Sequence, residues 1–195
     1  MYFSIPPLTR LLIVANVVVF LAETAVDGPL IALFALWPLG GQGPAFEPWQ
    51  IVTYSFLHAS LTHLLFNMFA LFMFGSEIER LFGARRYFNL YLASVVAAAL
   101  AQLAFSAAVA VPPYPTVGAS GGIFGLLLAF GMYFPHRTIF LLFPPIPMPA
   151  WLFVLLYGAL ELFLGVTGTA EGVAHFAHLG GMLGAWLMLR RRRRW

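Results

Sequence analysis

The chain has 195 residues, 62% of them hydrophobic and 9% charged, with a formal net charge of +3 and no cysteine. Charged residues make up about a quarter of a typical soluble chain, so this composition argues against a soluble domain and for an all-α polytopic membrane protein. Without cysteine there are no disulfides or thiolate metal sites. The positive balance is carried by arginine alone, beside apolar spans, and reads as membrane orientation rather than nucleic-acid binding.

The first predicted span covers residues 8–25. Pro6 and Pro7 precede it, where proline suits a helix start, and Asp27-Gly28-Pro29 closes it. It has one early charge, Arg10, and no small-x-small cleavage site, so it reads as a retained span and not a cleaved signal. Asn16 reads as helix-packing glue. Residues 26–50 form a long connection. Its stretch 30–37 is apolar but too short to cross, and Pro38, Gly40, Gly41, Gly43, Pro44 and Pro48 exclude a long regular helix. Trp37 and Trp49 suit the membrane interface, so this first outer loop is expected in the headgroup layer.

The second span, 51–74, carries His58, His63 and Asn67. His63 and Asn67 are four apart and share a helix face. His58 falls on another face and reads as structural, bonding the outer loop. Residues 75–86 form a compact charged turn with Glu77, Glu79, Arg80, Arg85 and Arg86. The third span, 87–109, is rich in alanine, which permits close helix packing. Pro112, Pro113 and Pro115 then prevent a continuous helix through 111–117.

The fourth span, 120–134, is about 22 Å long at 1.5 Å per residue, against about 30 Å of hydrocarbon. The loop before it must dip inward, which leaves Ser120 below the membrane surface. Irregular backbone at that depth requires protein or a water-filled cavity around it. Pro135-His136-Arg137 is a turn, and the proline-rich apolar stretch 141–149 reads as interfacial. The fifth and sixth spans cover 150–166 and 172–189, and five arginines and Trp195 close the chain.

With the N-terminus inside, six spans put Arg10, Arg80, Arg85, Arg86, Arg137 and Arg190, Arg191, Arg192, Arg193 and Arg194 on the cytoplasmic side. Asp27, Glu47 and Glu171 fall on the other. This is the positive-inside pattern, with both termini cytoplasmic. It sets Ser120 and His178 in the outer half of the bilayer, entering from the same face.

Ser120 lies in Gly118-Ala119-Ser120-Gly121-Gly122-Ile123-Phe124-Gly125. It could be one small residue in a tight contact, since Gly121 and Gly125 form a small-xxx-small pair. It could also be a nucleophile, which needs an adjacent base. The free N–H groups of a helix start would then stabilise an oxyanion. His178, in Ala177-His178-Leu179-Gly180-Gly181, is costly within a membrane and hence a functional candidate. Gly181 and Ala185 leave its helix face nearly bare, which lets spans four and six approach. His175, one turn nearer the surface, reads as a solvated or interfacial histidine. His63 and Asn67 are either packing groups or donors to a tetrahedral intermediate. Glu161, inside the fifth span, either faces a hydrated cavity or stays protonated, with substrate gating as a further option. No His-Glu-x-x-His run occurs and no carboxylate stands near His63, so no metal and no other cofactor is expected.

These residues together resemble the rhomboid family of intramembrane serine proteases over nearly the whole chain. Gly118-Ala119-Ser120-Gly121 is similar to the family's Gly-x-Ser-Gly motif, and Ala177-His178 followed by Gly181 to its sixth-span motif. His58, His63 and Asn67 match its His-x-x-x-x-His-x-x-x-Asn pattern. Glu47-Pro48-Trp49-Gln50 resembles the outer-loop motif, and residues 79–83 the turn after the second span. The resemblance implies a six-transmembrane-helix rhomboid-like bundle forming a single domain. It implies a Ser120–His178 dyad without an orienting acid, and no aspartate competes for that role. His63, Asn67 and the Ser120 N–H would form the oxyanion hole, supported by Gly118, Gly121, His58, Phe124 and Gly181. Implied substrates are transmembrane proteins cut in or next to a span, in a bilayer expected to be a bacterial cytoplasmic membrane, with the site opening outward. Gln50 stands where the family usually has arginine, Phe124 where some members have tyrosine under the histidine, and Ala185 where glycine is frequent. The chain looks like a minimal core without added soluble domains. Two other readings remain at this point: a rhomboid-like binding protein without protease activity, and a small transporter or channel. The second would need ionisable residues through both leaflets.

Overall fold

The computed structural model describes residues 4–26, 28–40, 43–109, 114–140, 145–168 and 173–190. Asp27, Pro112, Pro113, Glu171, the arginines at 191–194 and the stretch 141–144 lie outside the described residues.

Helix α1 (Pro7–Ala25) starts with proline in its first turn, and α2 (Pro29–Phe34) is a short helix within the first loop. Helix α3 (Gln50–Thr53) runs into a 3₁₀ turn, Tyr54–Phe56. Helix α4 (Leu61–Ala70) continues through a π-helical turn, Leu71–Gly75, into α5 (Ser76–Phe82). Then come α6 (Ala84–Ala108), α7 (Ser120–Tyr133), α8 (Ala150–Thr167) and α9 (His175–Arg190). Strands β1 (Thr138–Phe140) and β2 (Pro147–Pro149) pair antiparallel between α7 and α8, with Ile139 opposite Met148. Among the described residues, four helices are long and apolar enough to cross a membrane: Pro7–Ala25, Leu61–Phe82, Ala84–Ala108 and Ala150–Thr167. The shorter apolar helix α7 stands among them.

The second span departs from a continuous helix over 51–74. The chain leaves helical geometry at Leu57 and restarts after Ser60, whose hydroxyl accepts from the His63 N–H at 3.1 Å. That cap starts α4 and fixes the first turn that carries His63. The helix then passes Gly75, which keeps right-handed dihedrals, and stops only at Gly83 with φ 74°. The charged segment 76–82 is therefore helix rather than turn.

Small residues hold the centre together. Gly180 and Gly184 of α9 lie against Ala93, Ala97, Ala98 and Ala101 of α6. Gly125 of α7 faces Ser94 of α6 and the Gly181 carbonyl of α9, and Gly122 faces the Tyr91 ring. Without bulky side chains the backbones approach closely, the packing mode expected where lipid removes the hydrophobic drive between helices. Helix α7 is thus surrounded, with most of its residues buried, while α1 and α8 turn most of their surface outward.

The two ends of the bundle differ. At one end the Glu79 carboxylate, itself buried, accepts from the Leu8 N–H at 3.0 Å, the Thr9 N–H at 2.6 Å and the Thr9 hydroxyl at 2.8 Å. A carboxylate at a helix N-terminus satisfies orphan donors and complements the dipole. Glu77 pairs with Arg80 at 2.8 Å and with Arg137 from the turn after α7, and Arg80 reaches the Ser4 carbonyl. At the other end, Gln50 anchors the first loop. It is fully buried, accepts from the Trp37 N–H at 3.2 Å and donates to the carbonyls of Leu33 and Ala45. Leu36 and Thr116 exchange backbone hydrogen bonds of 3.0 and 2.9 Å, which tie this loop to the segment leading into Ser120.

Candidate active site

Ser120 is the first residue of α7, and the chain before it is held on both sides. The Gly118 N–H donates to the Tyr54 carbonyl at 3.0 Å, and the Tyr54 hydroxyl donates to the Val95 carbonyl at 2.9 Å. Gly118 has φ 122°, a conformation in which a side chain is strained. A Cβ there would also stand 2.7 Å from Cε1 and 2.8 Å from Nε2 of His63. Glycine thus turns the chain and leaves room for the imidazole beside the serine. The N–H groups of the first turn of α7 have no intrahelical partner.

His178 sits in the first turn of α9, facing α7. The two helices meet so closely that a Cβ on Gly181 would run into the Gly121 carbonyl. Across this seam His178 Nε2 lies 2.8 Å from Ser120 Oγ. The Phe124 ring stacks under the imidazole, with centroids 4.2 Å apart and planes 7° from parallel. Tyr157 stacks in turn on Phe124 at 5.1 Å.

The other imidazole nitrogen is also engaged. His178 Nδ1 lies 2.8 Å from Glu161 Oε2, and His175 Nδ1 lies 2.6 Å from the same oxygen. All three residues are buried. His175 is therefore not the solvated or interfacial residue expected, because the Glu161 carboxylate draws its ring inward. The ligating atoms of the three lie within 4.8 Å of one another. Contacts of 2.6 and 2.8 Å onto one oxygen are hydrogen bonds, shorter than the roughly 3.3 Å between ligands of a tetrahedral zinc site with bonds near 2.0 Å.

His63 and Asn67 both face the cavity onto which Ser120 and His178 open. The Asn67 amide donates to the His63 carbonyl at 2.9 Å, which fixes its rotation on α4. His58 packs its ring edge-on against His63, with centroids 5.0 Å apart. The expected bond from the His58 ring to the outer loop is absent among the described residues. Instead its backbone N–H donates to Glu23 of α1 at 3.1 Å, because the chain turns at 57–60 beside that helix. The cavity has a volume of about 1470 Å³. Phe66 and Phe69 line one wall and Phe153, Tyr157 and Leu160 another, so it is mostly apolar, with Gln102, Ser106 and Thr116 adding polar groups beyond those around Ser120.

Sequence reasoning singled out Glu161 but did not connect it to His178, and it left His175 outside the site. It also gave Gln50 and Tyr54 no positioning role. A polar residue inside an apolar span was the available signal for Glu161; nothing local marks Tyr54.

The family model described as "Rhomboid domain" matches residues 45–194. The chain is similar to "Rhomboid protein 1, mitochondrial" of Saccharomyces cerevisiae, 31% identical over 180 residues that cover 82% of this chain and 49% of the relative. It is similar to "Rhomboid protease GluP" of Bacillus subtilis, 32% identical over 142 residues, 72% of this chain and 25% of the relative. "Putative rhomboid protease YdcA" of the same organism is 38% identical over 87 residues, 45% of this chain and 40% of the relative. The chain thus spans about half or less of the length of these relatives.

Proposed function

The chain belongs to the rhomboid family, and from that premise we propose that it is an intramembrane serine endopeptidase, cleaving membrane proteins in or next to a transmembrane segment. The observation that carries the reading is the 2.8 Å contact between Ser120 Oγ and His178 Nε2, beside a large apolar cavity. A serine hydroxyl is a weak nucleophile until a base takes its proton, and this contact lies within the range of nucleophile and base.

Ser120 Oγ attacks the scissile carbonyl carbon while its proton passes to His178 Nε2. The resulting tetrahedral oxyanion is held by the Ser120 N–H at the start of α7 and by side-chain donors from His63 and Asn67. Collapse breaks the C–N bond, and the leaving amine takes the proton from His178. Water then attacks the acyl-enzyme with His178 again as base, releasing the carboxylate product and restoring Ser120. Phe124 supports the imidazole from below, Gly121 and Gly181 provide the close approach of the two helices, and Gly118 leaves room for the His63 ring.

The reading takes residues 1–195 as one membrane unit of six spans, with α7 and α9 as its short members. Both termini are cytoplasmic, supported by Arg80, Arg86 and Arg137 at the end opposite Ser120. The apolar cavity walls suit a substrate that is itself a transmembrane segment.

The test is labelling of the purified protein in detergent by a fluorophosphonate serine probe, with cleavage of a model transmembrane substrate alongside. Wild type is expected to label and cleave, and Ser120→Ala and His178→Ala to do neither while staying folded. Labelling of both variants at the wild-type rate overturns the dyad. A folded wild type that neither labels nor cleaves makes the chain a non-proteolytic binder of transmembrane segments.

A further inference from the structure

Helix α8 carries only three buried residues, Ala150, Val154 and Glu161. At 100° per residue these fall on one stripe, while the rest of the helix is partly or fully exposed. The inward stripe of a peripheral helix thus ends in a carboxylate. Packing alone would be served by leucine, and a buried carboxylate is costly unless paired and hydrogen-bonded. Its Oε2 meets two imidazoles, His178 at 2.8 Å and His175 at 2.6 Å, both through Nδ1. The His175 Nε2 atom is buried without a partner among the described residues, so the ring's one hydrogen bond there is the Nδ1 contact to Glu161.

We propose that Glu161 is the positioning residue for His178, held in place by His175, so that the site is a buried Ser120–His178–Glu161 row rather than a free-standing dyad. The inference rests on the serine-protease reading above. A carboxylate only accepts, so His178 must present Nδ1–H to it. That leaves Nε2 bare and facing the Ser120 hydroxyl, which is the tautomer a general base needs. The carboxylate also stabilises the imidazolium formed when Oγ attacks, without taking the proton itself. His175 donates to the same oxygen from one turn away and fixes where that oxygen stands. The sequence offers no aspartate for this role; the structure assigns it to a glutamate from the neighbouring helix.

The experiment compares wild type, Glu161→Leu and Glu161→Gln in detergent. The readouts are the fluorophosphonate labelling rate and the imidazole nitrogen spectrum of ¹⁵N-histidine-labelled protein, with His178 assigned by His178→Ala. Wild type should show His178 protonated at Nδ1. Glu161→Leu should shift protons toward Nε2 and slow labelling about tenfold to a thousandfold. Glu161→Gln keeps the length and an acceptor oxygen, so it guards against a folding failure. It should still label about tenfold more slowly, because a neutral amide cannot stabilise the imidazolium. Unchanged labelling in both variants, or a wild-type His178 protonated at Nε2, overturns the proposal. If wild type does not label at all, the protease reading fails separately. The nitrogen spectra then still decide, since loss of Nδ1–H in Glu161→Leu upholds the positioning role and no change removes it.

Discussion

Replacing Gly181 by alanine should open the seam on which the Ser120–His178 contact rests. The added Cβ would run into the Gly121 carbonyl, 2.8 Å from its carbon and 3.2 Å from the Gly121 Cα, with the oxygen nearer still. Carbon atoms in contact settle at about 3.5–4.0 Å, so α7 and α9 must part by about 0.7 Å or more. The obstacle is backbone and cannot swing aside. Gly121 follows Ser120 directly and Gly181 lies one turn from His178. The same parting therefore stretches the 2.8 Å contact toward about 3.5 Å, where a hydrogen bond is lost. Overpacking of this kind costs about 1–3 kcal/mol of stability, and a misplacement near 1 Å costs roughly 10²-fold in rate. The control is Gly158→Ala on α8, where a Cβ meets only the flexible end of Met182 at 3.5 Å. Alanine there should be neutral or stabilise by about 0.4–1 kcal/mol. Thermal unfolding in detergent and probe-labelling rates read both effects. A Gly181→Ala protein that unfolds and labels like wild type would refute the claim that the bare seam sets the Ser120–His178 distance.

Three further changes test the supports around the site. Glu79→Ala leaves the Leu8 and Thr9 N–H groups and the Thr9 hydroxyl without their acceptor. The Thr9 hydroxyl keeps the Tyr87 hydroxyl at 3.2 Å, so two N–H groups are orphaned, and at about 1–3 kcal/mol each the change should destabilise by about 2–6 kcal/mol in thermal unfolding, with Glu79→Gln recovering part. Equal stability of Glu79→Ala and wild type would remove the cap. Gln50→Leu breaks the three bonds that hold the first loop and should raise limited proteolysis between α2 and α3 while the helical core melts as before. Unaltered nicking would show that Trp49 and Thr53, which bond the Leu33 and Phe34 carbonyls, suffice. Asn67→Ala should lower turnover about tenfold to a thousandfold with helicity retained. An unchanged rate takes Asn67 out of oxyanion stabilisation.

The start of α7 was legible because Pro112, Pro113 and Pro115 precede a long apolar run, which leaves few places for a helix to begin. The close packing of α6, α7 and α9 was legible from their alanines and glycines, since small residues have little other reason to cluster in a span. The break at 57–60 was not. The run Leu57-His58-Ala59 holds no proline or glycine, and the only mark is Ser60, a capping residue that looks like any serine until its acceptor role is seen. The extension through 76–82 was hidden for the opposite reason. Gly75 and the charges after it imitate a turn, yet glycine ends a helix only where the backbone turns left-handed, and that happens at Gly83.

The link between Glu161 and His178 was out of reach of periodicity alone, because a helical wheel fixes faces on one helix and not the rotation of two helices about each other. Elementary accounting comes closer. A buried imidazole that offers Nε2 to a serine must place its Nδ1–H on some acceptor, whatever the family, since an unmatched polar group at that depth costs more than the contact gains. Antiparallel neighbours joined by a short connection face each other at matched depth. Helix α8 is the neighbour that precedes α9, and Glu161 is its single carboxylate. It stands six residues from the end of α8 and His178 three from the start of α9, so both lie within two turns of the connection between the helices. The carboxylate that looks out of place in an apolar span is thus the acceptor that burying His178 requires.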